Sequence, residues 1–269
     1  MIVHNFDPVL VDFGFLQIRW YSIAYISGIV LGWAYAIKIL KKIKFNQYNF
    51  QSVSVEHFDN LVTYLIIGII VGGRLGYVFF YNFQFFFFNP VEIIKIWKGG
   101  MSFHGGLLGV VIATIIFSEI KKNNFFKLAD IISCVAPIGL FFGRIANFIN
   151  GELYGKISTV PWSVIFFQEE NFGRHPSQIY EAILEGIFLF LILNFLAFYK
   201  KKIFVPGYIS GYFLILYSIF RIFSEMFREP DFHIGYIYNY FSMGTLLSIL
   251  TMTIGFLLIF FNKKNEQNN

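Results

Sequence analysis

Residues Gly143–Gly155 have the sequence Gly-Arg-Ile-Ala-Asn-Phe-Ile-Asn-Gly-Glu-Leu-Tyr-Gly and end a stretch that otherwise holds mainly hydrocarbon and aromatic side chains. They introduce Arg144, Asn147, Asn150 and Glu152 at the end of a segment long enough to span a membrane. An arginine on a membrane-spanning helix costs roughly 2.5–3.5 kcal/mol on insertion scales. We therefore expect Arg144 to meet a compensating partner.

The composition of the chain excludes an ordinary soluble domain. Of its 269 residues, 57% are hydrophobic and 14% are charged, and the mean hydropathy is +0.62, which is typical of a polytopic membrane protein. The net charge is +5, but no stripe of Lys and Arg interleaves with aromatic residues, so we expect no nucleic-acid partner. Cys134 is the single cysteine, which excludes an internal disulfide and a cysteine metal cluster.

Seven apolar stretches are each long enough to cross the ~30 Å hydrocarbon core of a bilayer. They lie at about 21–40, 60–81, 101–118, 129–149, 178–199, 207–227 and 237–261. The connections on one side carry Lys38, Lys41, Lys42, Lys44, Lys121, Lys122, Lys127, Lys200, Lys201, Lys202, Lys263 and Lys264, whereas the other side has Arg19, Lys95, Lys98, Lys156, Arg174 and Arg228. By the positive-inside rule, the N-terminus is outside and the C-terminus is cytoplasmic.

The residues from about 150 to 177 form the longest connection, which this topology places outside. They mix Gly and Pro with β-prone residues between 162 and 167, which predicts a small strand-containing extracytoplasmic cap. The first 20 residues lack a basic region ahead of an apolar core, so we expect no cleavable signal peptide. The expected fold is an all-α polytopic membrane protein with residues 1–269 as a single integral membrane domain.

Glycines spaced four residues apart recur in the predicted spans. They include Gly28 with Gly32, Gly68 with Gly72 and Gly76, Gly105 with Gly109, Gly139 with Gly143, and Gly207 with Gly211. Such faces let helix backbones approach closely. We interpret them as packing within one chain and expect a compact monomer.

Polar side chains from several spans are predicted to gather at one depth near the outer face. They lie near the ends of the spans that run outward and near the starts of the spans that run inward. The set comprises Tyr25, Arg74, Ser102, His104, Arg144, Gln178, Tyr180, Glu181, Glu185, Tyr217, Arg221 and Glu225. Arg221 with Glu225, or Glu185 with an arginine, could be purely structural ion pairs. Three arginines with few acids nearby instead favour an anion, most naturally the phosphate of a phospholipid head group.

His104 lies in Ser-Phe-His-Gly-Gly at the predicted outer start of the third span. Its imidazole can exchange a proton near neutral pH, and the flanking glycines give a bulky ligand access. A merely interfacial histidine is the alternative. The chain contains neither His-Glu-x-x-His nor Gly-x-Ser-x-Gly, and its histidines are not spaced as metal ligands, so we expect no metal.

Four further stretches join Gly143–Gly155 as candidate motifs. They are Gly72–Tyr77 (Gly-Gly-Arg-Leu-Gly-Tyr), Gly100–Gly106 (Gly-Met-Ser-Phe-His-Gly-Gly), Arg174–Glu181 (Arg-His-Pro-Ser-Gln-Ile-Tyr-Glu) and Tyr217–Asp231. Together, in order and over essentially the whole chain, the five motifs resemble the prolipoprotein diacylglyceryl transferase family. Ala146 departs from the pattern, because many members have Gly there, and its methyl group could narrow the packing beside Arg144.

The resemblance implies an enzyme of the bacterial inner membrane. Such an enzyme transfers the diacylglyceryl group of phosphatidylglycerol to the lipobox cysteine thiol of a prolipoprotein, forms a thioether and releases glycerol 1-phosphate, without cofactor or metal. The chemistry requires charge neutralisation on the departing phosphate. It also requires removal of the proton from a thiol whose ordinary pKa is about 8.5.

The resemblance also implies roles for individual residues. Arg144 and Arg221 match family arginines assigned to phospholipid binding and catalysis, and His104 matches the histidine proposed as base. Other matching positions, which would hold the arginines and line the pocket, are Tyr25, Asn147, Glu152, Gly155, Tyr217 and Glu225. Arg74 is added on its depth alone. The alternative class is a secondary transporter for an organic anion, but the sequence has neither an internal repeat nor a midplane placement of the charges.

Overall fold

The computed structural model describes residues 2–14, 17–45, 53–96, 99–166, 172–230, 235 and 241–268, and side chains for all of these except 44–45, 103–104 and 263–268. The fold is mostly helical. In chain order, the helices are α1 (Trp20–Phe45), α2 (Val55–Tyr81), α3 (Phe83–Phe88), α4 (Phe103–Lys121), α5 (Phe125–Asn150), α6 (Ser177–Glu181), α7 (Leu189–Asn194), α8 (Tyr208–Glu225) and α9 (Met243–Asn268). Two π-helical segments, Ala182–Phe188 and Phe195–Tyr199, extend α6 and α7 into one helix, Ser177–Tyr199.

Five short strands accompany the helices in the described part of the chain. They are β1 (Ile2–His4), β2 (Val9–Asp12), β3 (Gln17–Arg19), β4 (Val164–Phe166) and β5 (Gly173–Arg174). β1 pairs with β4 in parallel, β4 pairs with β5 in antiparallel, and β2 and β3 form a separate antiparallel pair. The strands predicted within 150–177 are thus confirmed as β4 and β5, whereas the contribution of β1 was not predicted.

Within the described residues, five helices are long and apolar enough to cross a membrane. They are Trp20–Ile43, Val55–Tyr81, Phe125–Asn150, Ser177–Tyr199 and Met243–Asn262. They coincide with five predicted spans, which confirms the coarser prediction of a polytopic membrane protein. The third and sixth predicted spans correspond to α4 and α8, which are helical but are not among these five. The count of seven spans and the sidedness remain predictions.

The chain divides into two compact units. The first comprises Met1–Ala36 and Asp130–Asn269, and the second comprises Ile37–Ala129. The expectation of a single integral membrane domain therefore stays a prediction, and so does the monomeric state.

In the second unit, α2 and α4 pack backbone to backbone. A Cβ added to Gly76 would lie 2.7 Å from the Cα of Gly105, and one added to Gly72 would lie 2.9 Å from the Cα of Gly109. These distances leave no room for side chains, which confirms the close packing predicted from the glycine spacing. Ser102 caps the start of α4, where its Oγ accepts a hydrogen bond from the Gly105 amide at 3.2 Å.

In the first unit, the start of α8 is anchored by a carboxylate from α5. Asp130 is buried and accepts hydrogen bonds from the backbone amides of Gly207 and Ser210, both at 2.7 Å. Because the first amides of a helix have no partner within the helix, this carboxylate acts as a cap supplied by another element. The start of α8 is thereby fixed against α5.

Candidate active site

Three helices of the first unit bring ionic side chains into one cluster. Arg144 lies near the end of α5, Glu181 and Glu185 lie near the start of Ser177–Tyr199, and the remaining members lie at the end of α8 and just after it. We call this set the arginine–glutamate cluster; it consists of Arg144, Glu181, Glu185, Arg221, Glu225 and Arg228. No side chain in it is more than 13% exposed.

The guanidinium of Arg144 is held by two carboxylates from the helix Ser177–Tyr199. Its Nε and Nη2 both donate to Oε2 of Glu185, at 3.2 and 3.0 Å. Its Nη1 lies 3.0 Å from Oε2 of Glu181. Both carboxylates are fully buried. This pair of glutamates is the compensating partner that the sequence requires.

Arg221 shares the same two carboxylates. Its Nη1 donates to Oε1 of Glu181 at 2.6 Å and lies 3.5 Å from Oε1 of Glu185. Its Nη2 forms an ion pair with Glu225, one turn further along α8. Glu181 and Glu185 therefore bridge two arginines that come from different helices.

A glycine on α9 leaves room for the pair of Arg221 and Glu225. A Cβ added to Gly244 would lie 2.8 Å from Cδ of Glu225 and 3.4 Å from Nε of Arg221. The first turn of α9 thus lies directly against this ion pair.

The cluster balances three positive against three negative formal charges. Arg228 completes it, with its Nη1 3.6 Å from Glu181 and 3.9 Å from Glu225. The sequence-based expectation of few acids near the arginines is wrong, because buried guanidiniums in a low-dielectric interior require counter-charges. Among the described residues, no group of three or more His, Cys, Asp or Glu side chains is placed to hold a metal ion.

Asn147 links α5 to the first turn of α1 and to the segment that follows α5. Its Nδ2 donates to the hydroxyl of Tyr21 at 2.9 Å and to Oε1 of Glu152 at 2.7 Å. Tyr25, the tyrosine proposed from the sequence, lies one turn further along α1, with its ring 5.2 Å from that of Tyr21. It is 52% exposed. Tyr21 therefore makes the direct hydrogen bond to Asn147.

Gly155 occupies a point where three backbone segments meet. Its amide donates to the carbonyl of His175 at 2.9 Å, and it forms a β-bridge with Arg228. A Cβ at this position would lie 2.6 Å from the carbonyl oxygen of Phe227. The absence of a side chain lets the segment after α5 pack against the end of α8, beside the cluster.

Tyr217 lies one turn before Arg221 on α8. Its ring stacks on that of Phe213, with centroids 5.9 Å apart and an interplanar angle of 9°. It interacts electrostatically with Arg221, Arg144 and Glu185. The structure thus brings Tyr217, Arg144, Arg221 and Glu225 together.

Two candidate residues belong to the second unit. The side chain of His104 lies outside the described residues, so its role as base stays a prediction. Arg74 is 5% exposed and donates to the backbone carbonyls of Glu92 at 2.7 Å, Ile93 at 2.8 Å and Gly100 at 3.0 Å. These bonds give Arg74 a structural role, because they tie the chain between α3 and α4 to α2.

Sequence reasoning gave Tyr21 and Arg228 no role in the site and placed Glu181 and Glu185 by depth alone. A stronger signal was present for the two glutamates, since they are four residues apart in an apolar span and must share a helix face. No comparable signal distinguishes Tyr21 from Tyr25, because both lie in the first two turns of α1.

Comparison with known proteins decides the family. Residues 8–261 match the family model described as prolipoprotein diacylglyceryl transferase. The chain belongs to this family. The prolipoprotein diacylglyceryl transferase family thus accounts for all five sequence motifs, and the resemblance found in the sequence is confirmed.

Curated relatives extend this prolipoprotein diacylglyceryl transferase match over nearly the whole chain. The phosphatidylglycerol–prolipoprotein diacylglyceryl transferase of Rickettsia bellii (strain OSU 85-389) is 49% identical over 259 residues, which cover 96% of each chain. Proteins of the same name from Rickettsia typhi and Rickettsia felis are each 48% identical over 259 residues, covering 96% of this chain and 98% of theirs.

Proposed function

We propose that the protein transfers the diacylglyceryl group of phosphatidylglycerol to the lipobox cysteine thiol of a prolipoprotein. The family match over residues 8–261 and the name shared by its relatives support this activity. The observation that carries the site assignment is the bridging of Arg144 and Arg221 by two buried carboxylates. It places two fixed guanidiniums side by side, which suits a phosphate with several oxygens.

The reaction is a displacement at a glyceryl carbon. The cysteine sulfur forms a bond to this carbon, and the bond between the carbon and the phosphate oxygen breaks. The bonding electron pair leaves with glycerol 1-phosphate, while the thiol gives its proton to a base. Because the bonds, the electron pair and the proton are all accounted for, this reaction requires neither a cofactor nor a metal.

Arg144 and Arg221 stabilise the departing phosphate. Each Nη of an arginine carries two N–H groups, so a contact with one carboxylate oxygen leaves capacity for a second acceptor. Donors that are already oriented where negative charge develops lower the barrier most effectively. The other proposed binding residues support the two arginines. The segment after α5 is fixed by Asn147, Glu152 and Gly155, and the pocket is lined by Tyr25, Tyr217 and Glu225.

His104 is the proposed base. Its replacement by Gln is expected to reduce transfer on the order of 10²-fold, and raised pH is expected to restore part of the loss because the free thiol then ionises by itself. Nearly unchanged activity would shift the assignment to Glu152, Tyr25 or water.

The proposed setting is the bacterial inner membrane. The protein is a monomer with seven spans, its N-terminus and cap outside, its C-terminus cytoplasmic and the site toward the extracytoplasmic side. The distribution of Lys and Arg supports this orientation. Single cysteines introduced at Ser158 and at Asn265 in a Cys134→Ala background test it with a membrane-impermeant thiol reagent in intact cells. Labelling of Ser158→Cys alone is expected, and labelling of Asn265→Cys alone would reverse the topology.

The decisive experiment incubates the purified protein with phosphatidylglycerol and a lipobox peptide and measures the mass of the peptide. We expect a gain equal to one diacylglyceryl group, together with release of glycerol 1-phosphate. An unmodified peptide, together with accumulation of an organic anion in vesicles that contain the protein, would instead favour the transporter alternative.

A further inference from the structure

We infer that Glu185, acting with Glu181, is a positioning residue that sets the orientation of the Arg144 and Arg221 guanidiniums for the phosphate. The inference rests on the proposed function. It adds two acidic residues that bind neither the lipid nor the thiol but act through the arginines.

The contacts of Glu185 fix Arg144 in rotation as well as in distance. Oε2 of Glu185 accepts hydrogen bonds from both Nε and Nη2 of Arg144, and Nη1 lies 3.0 Å from Oε2 of Glu181, so contacts on two sides of the guanidinium fix its orientation. Oε1 lies 3.5 Å from Nη1 of Arg221. A single carboxylate thus holds one arginine and reaches the second.

The local backbone places Glu185 deep in the packing. It belongs to the π-helical segment Ala182–Phe188 and is fully buried. π-helical segments are rare in proteins as a whole, and many of those that occur lie at functional sites. The next residue, Gly186, lies against α5, where an added Cβ would be 2.7 Å from Cβ of Phe141. Because Phe141 precedes Arg144 by about one helical turn, this close approach brings Glu185 within reach of the Arg144 guanidinium.

Two carboxylates are needed because two guanidiniums repel one another in a buried site. Alternating charges convert this repulsion into attraction, so that both arginines keep one geometry before the lipid arrives. Precise placement matters to the rate, since a misplacement of about 1 Å can cost 10²-fold.

Four variants test the inference in the transfer assay, with kcat and KM for phosphatidylglycerol measured separately. Glu185→Gln removes the charge, Glu185→Asp keeps it on a shorter side chain, and Gly186→Ala keeps the charge but blocks the approach to Phe141. Asp130→Asn is the matched control, because it neutralises another buried carboxylate at the opposite end of α8. Thermal unfolding of each purified variant measures the folded fraction.

We expect kcat/KM per folded protein to fall on the order of 10²-fold in Glu185→Gln and in Gly186→Ala, with partial recovery in Glu185→Asp. Asp130→Asn is expected to lose thermal stability and to keep its turnover per folded protein. In an Arg144→Ala background, Glu185→Gln is expected to cause a much smaller further loss of activity than in the unaltered protein, since most of its effect acts through Arg144.

Unchanged kcat/KM in folded Glu185→Gln would overturn the inference, and so would a full additional loss in the Arg144→Ala background. If Glu185→Gln does not fold, Gly186→Ala and Glu185→Asp decide by the same measurement. Absence of transfer by the unaltered protein would instead count against the proposed function itself, so the two failures are distinguishable.

Discussion

Gly155 lies against His175 so closely that a Cβ added to the glycine would be 2.6 Å from Cβ of the histidine. The contact joins the end of the Gly143–Gly155 motif to the start of the Arg174–Glu181 motif. Both motifs lead directly into the arginine–glutamate cluster, so their separation is fixed by backbone contact.

Replacement of Gly155 by Ala is expected to destabilise the protein by about 1–3 kcal/mol, the typical cost of overpacking. Because backbone must move to admit the methyl group, transfer activity is also expected to fall. Thermal unfolding and the peptide-mass assay measure the two effects. Gly14→Ala is the control, because it adds the same methyl group at a position where a Cβ would contact nothing within 4 Å. Its φ of +80° adds only a local backbone strain. Wild-type behaviour of Gly155→Ala would contradict this prediction.

Arg144→Ala is expected to lose both transfer activity and stability. Removal of one partner from a buried ion pair costs about 3–5 kcal/mol, because the remaining carboxylates stay buried without their counter-charge. The double variant Arg144→Ala with Glu185→Gln should regain part of the unfolding midpoint but no activity. Arg19→Ala, the same change at an exposed position, provides the control. A double variant less stable than Arg144→Ala would refute the charge-pairing argument.

Tyr21→Phe is expected to impair the network around Asn147. The change removes the hydroxyl that accepts the hydrogen bond from Asn147 and should cost about 0.5–1.5 kcal/mol of stability. Transfer should weaken because Glu152 loses a fixed neighbour. Tyr199→Phe, at a position that is 73% exposed, makes the same chemical change outside the network. Equal unfolding midpoints for the two variants would show that the Tyr21 hydroxyl does not contribute.

The packing around His175 is expected to become less stable as the solution is acidified. Partial burial, and secondarily the charge of Lys156, lower the pKa of His175 below its ordinary value of about 6.5. Between the lowered pKa of the folded state and about pH 6.5, the unfolded state binds more protons than the folded state. The stability that is present above about pH 6.5 is therefore lost as the pH falls through the lowered pKa.

Thermal unfolding measured between pH 8 and pH 5 tests the role of His175. The unaltered protein should show a falling midpoint over this window, and His175→Gln should show a smaller fall. The Nδ1 of His175 lies 3.1 Å from the hydroxyl of Tyr180, which also accepts a hydrogen bond from Nε1 of Trp162. Identical pH dependence in both proteins would exclude His175 as the titrating group.

Hydrophobic length predicted most of the helices well, because membrane spans depend on little beyond an apolar stretch of sufficient length. The glycine spacing also predicted close packing of helix backbones, which α2 and α4 show, although it did not indicate which helices would pair. The strand β1 could not be predicted in this way. Its parallel pairing with β4 joins residues about 160 positions apart, and three residues carry too little periodicity to indicate a partner.

The sequence indicates two of the three arginines of the cluster, but neither Arg228 nor the geometry of the cluster. Motif resemblance identified Arg144 and Arg221, yet the sequence cannot show that Glu181 contacts both of them. The hydrogen bond of Tyr21 could not be predicted for the same reason, because two tyrosines one turn apart are distinguished only by which of them meets Asn147.

The order of synthesis places a constraint on the arginine–glutamate cluster. Arg144 precedes Glu185 by 41 residues, and Glu181 precedes Arg221 by 40. At about 5–20 residues per second, each charge leaves the ribosome roughly 2–8 s before the charge that neutralises it. The nascent helix with Arg144 therefore bears its insertion cost alone until the helix Ser177–Tyr199 with Glu181 and Glu185 follows. These two carboxylates make association of the two helices favourable, so ion pairs at the candidate site also favour assembly of the protein.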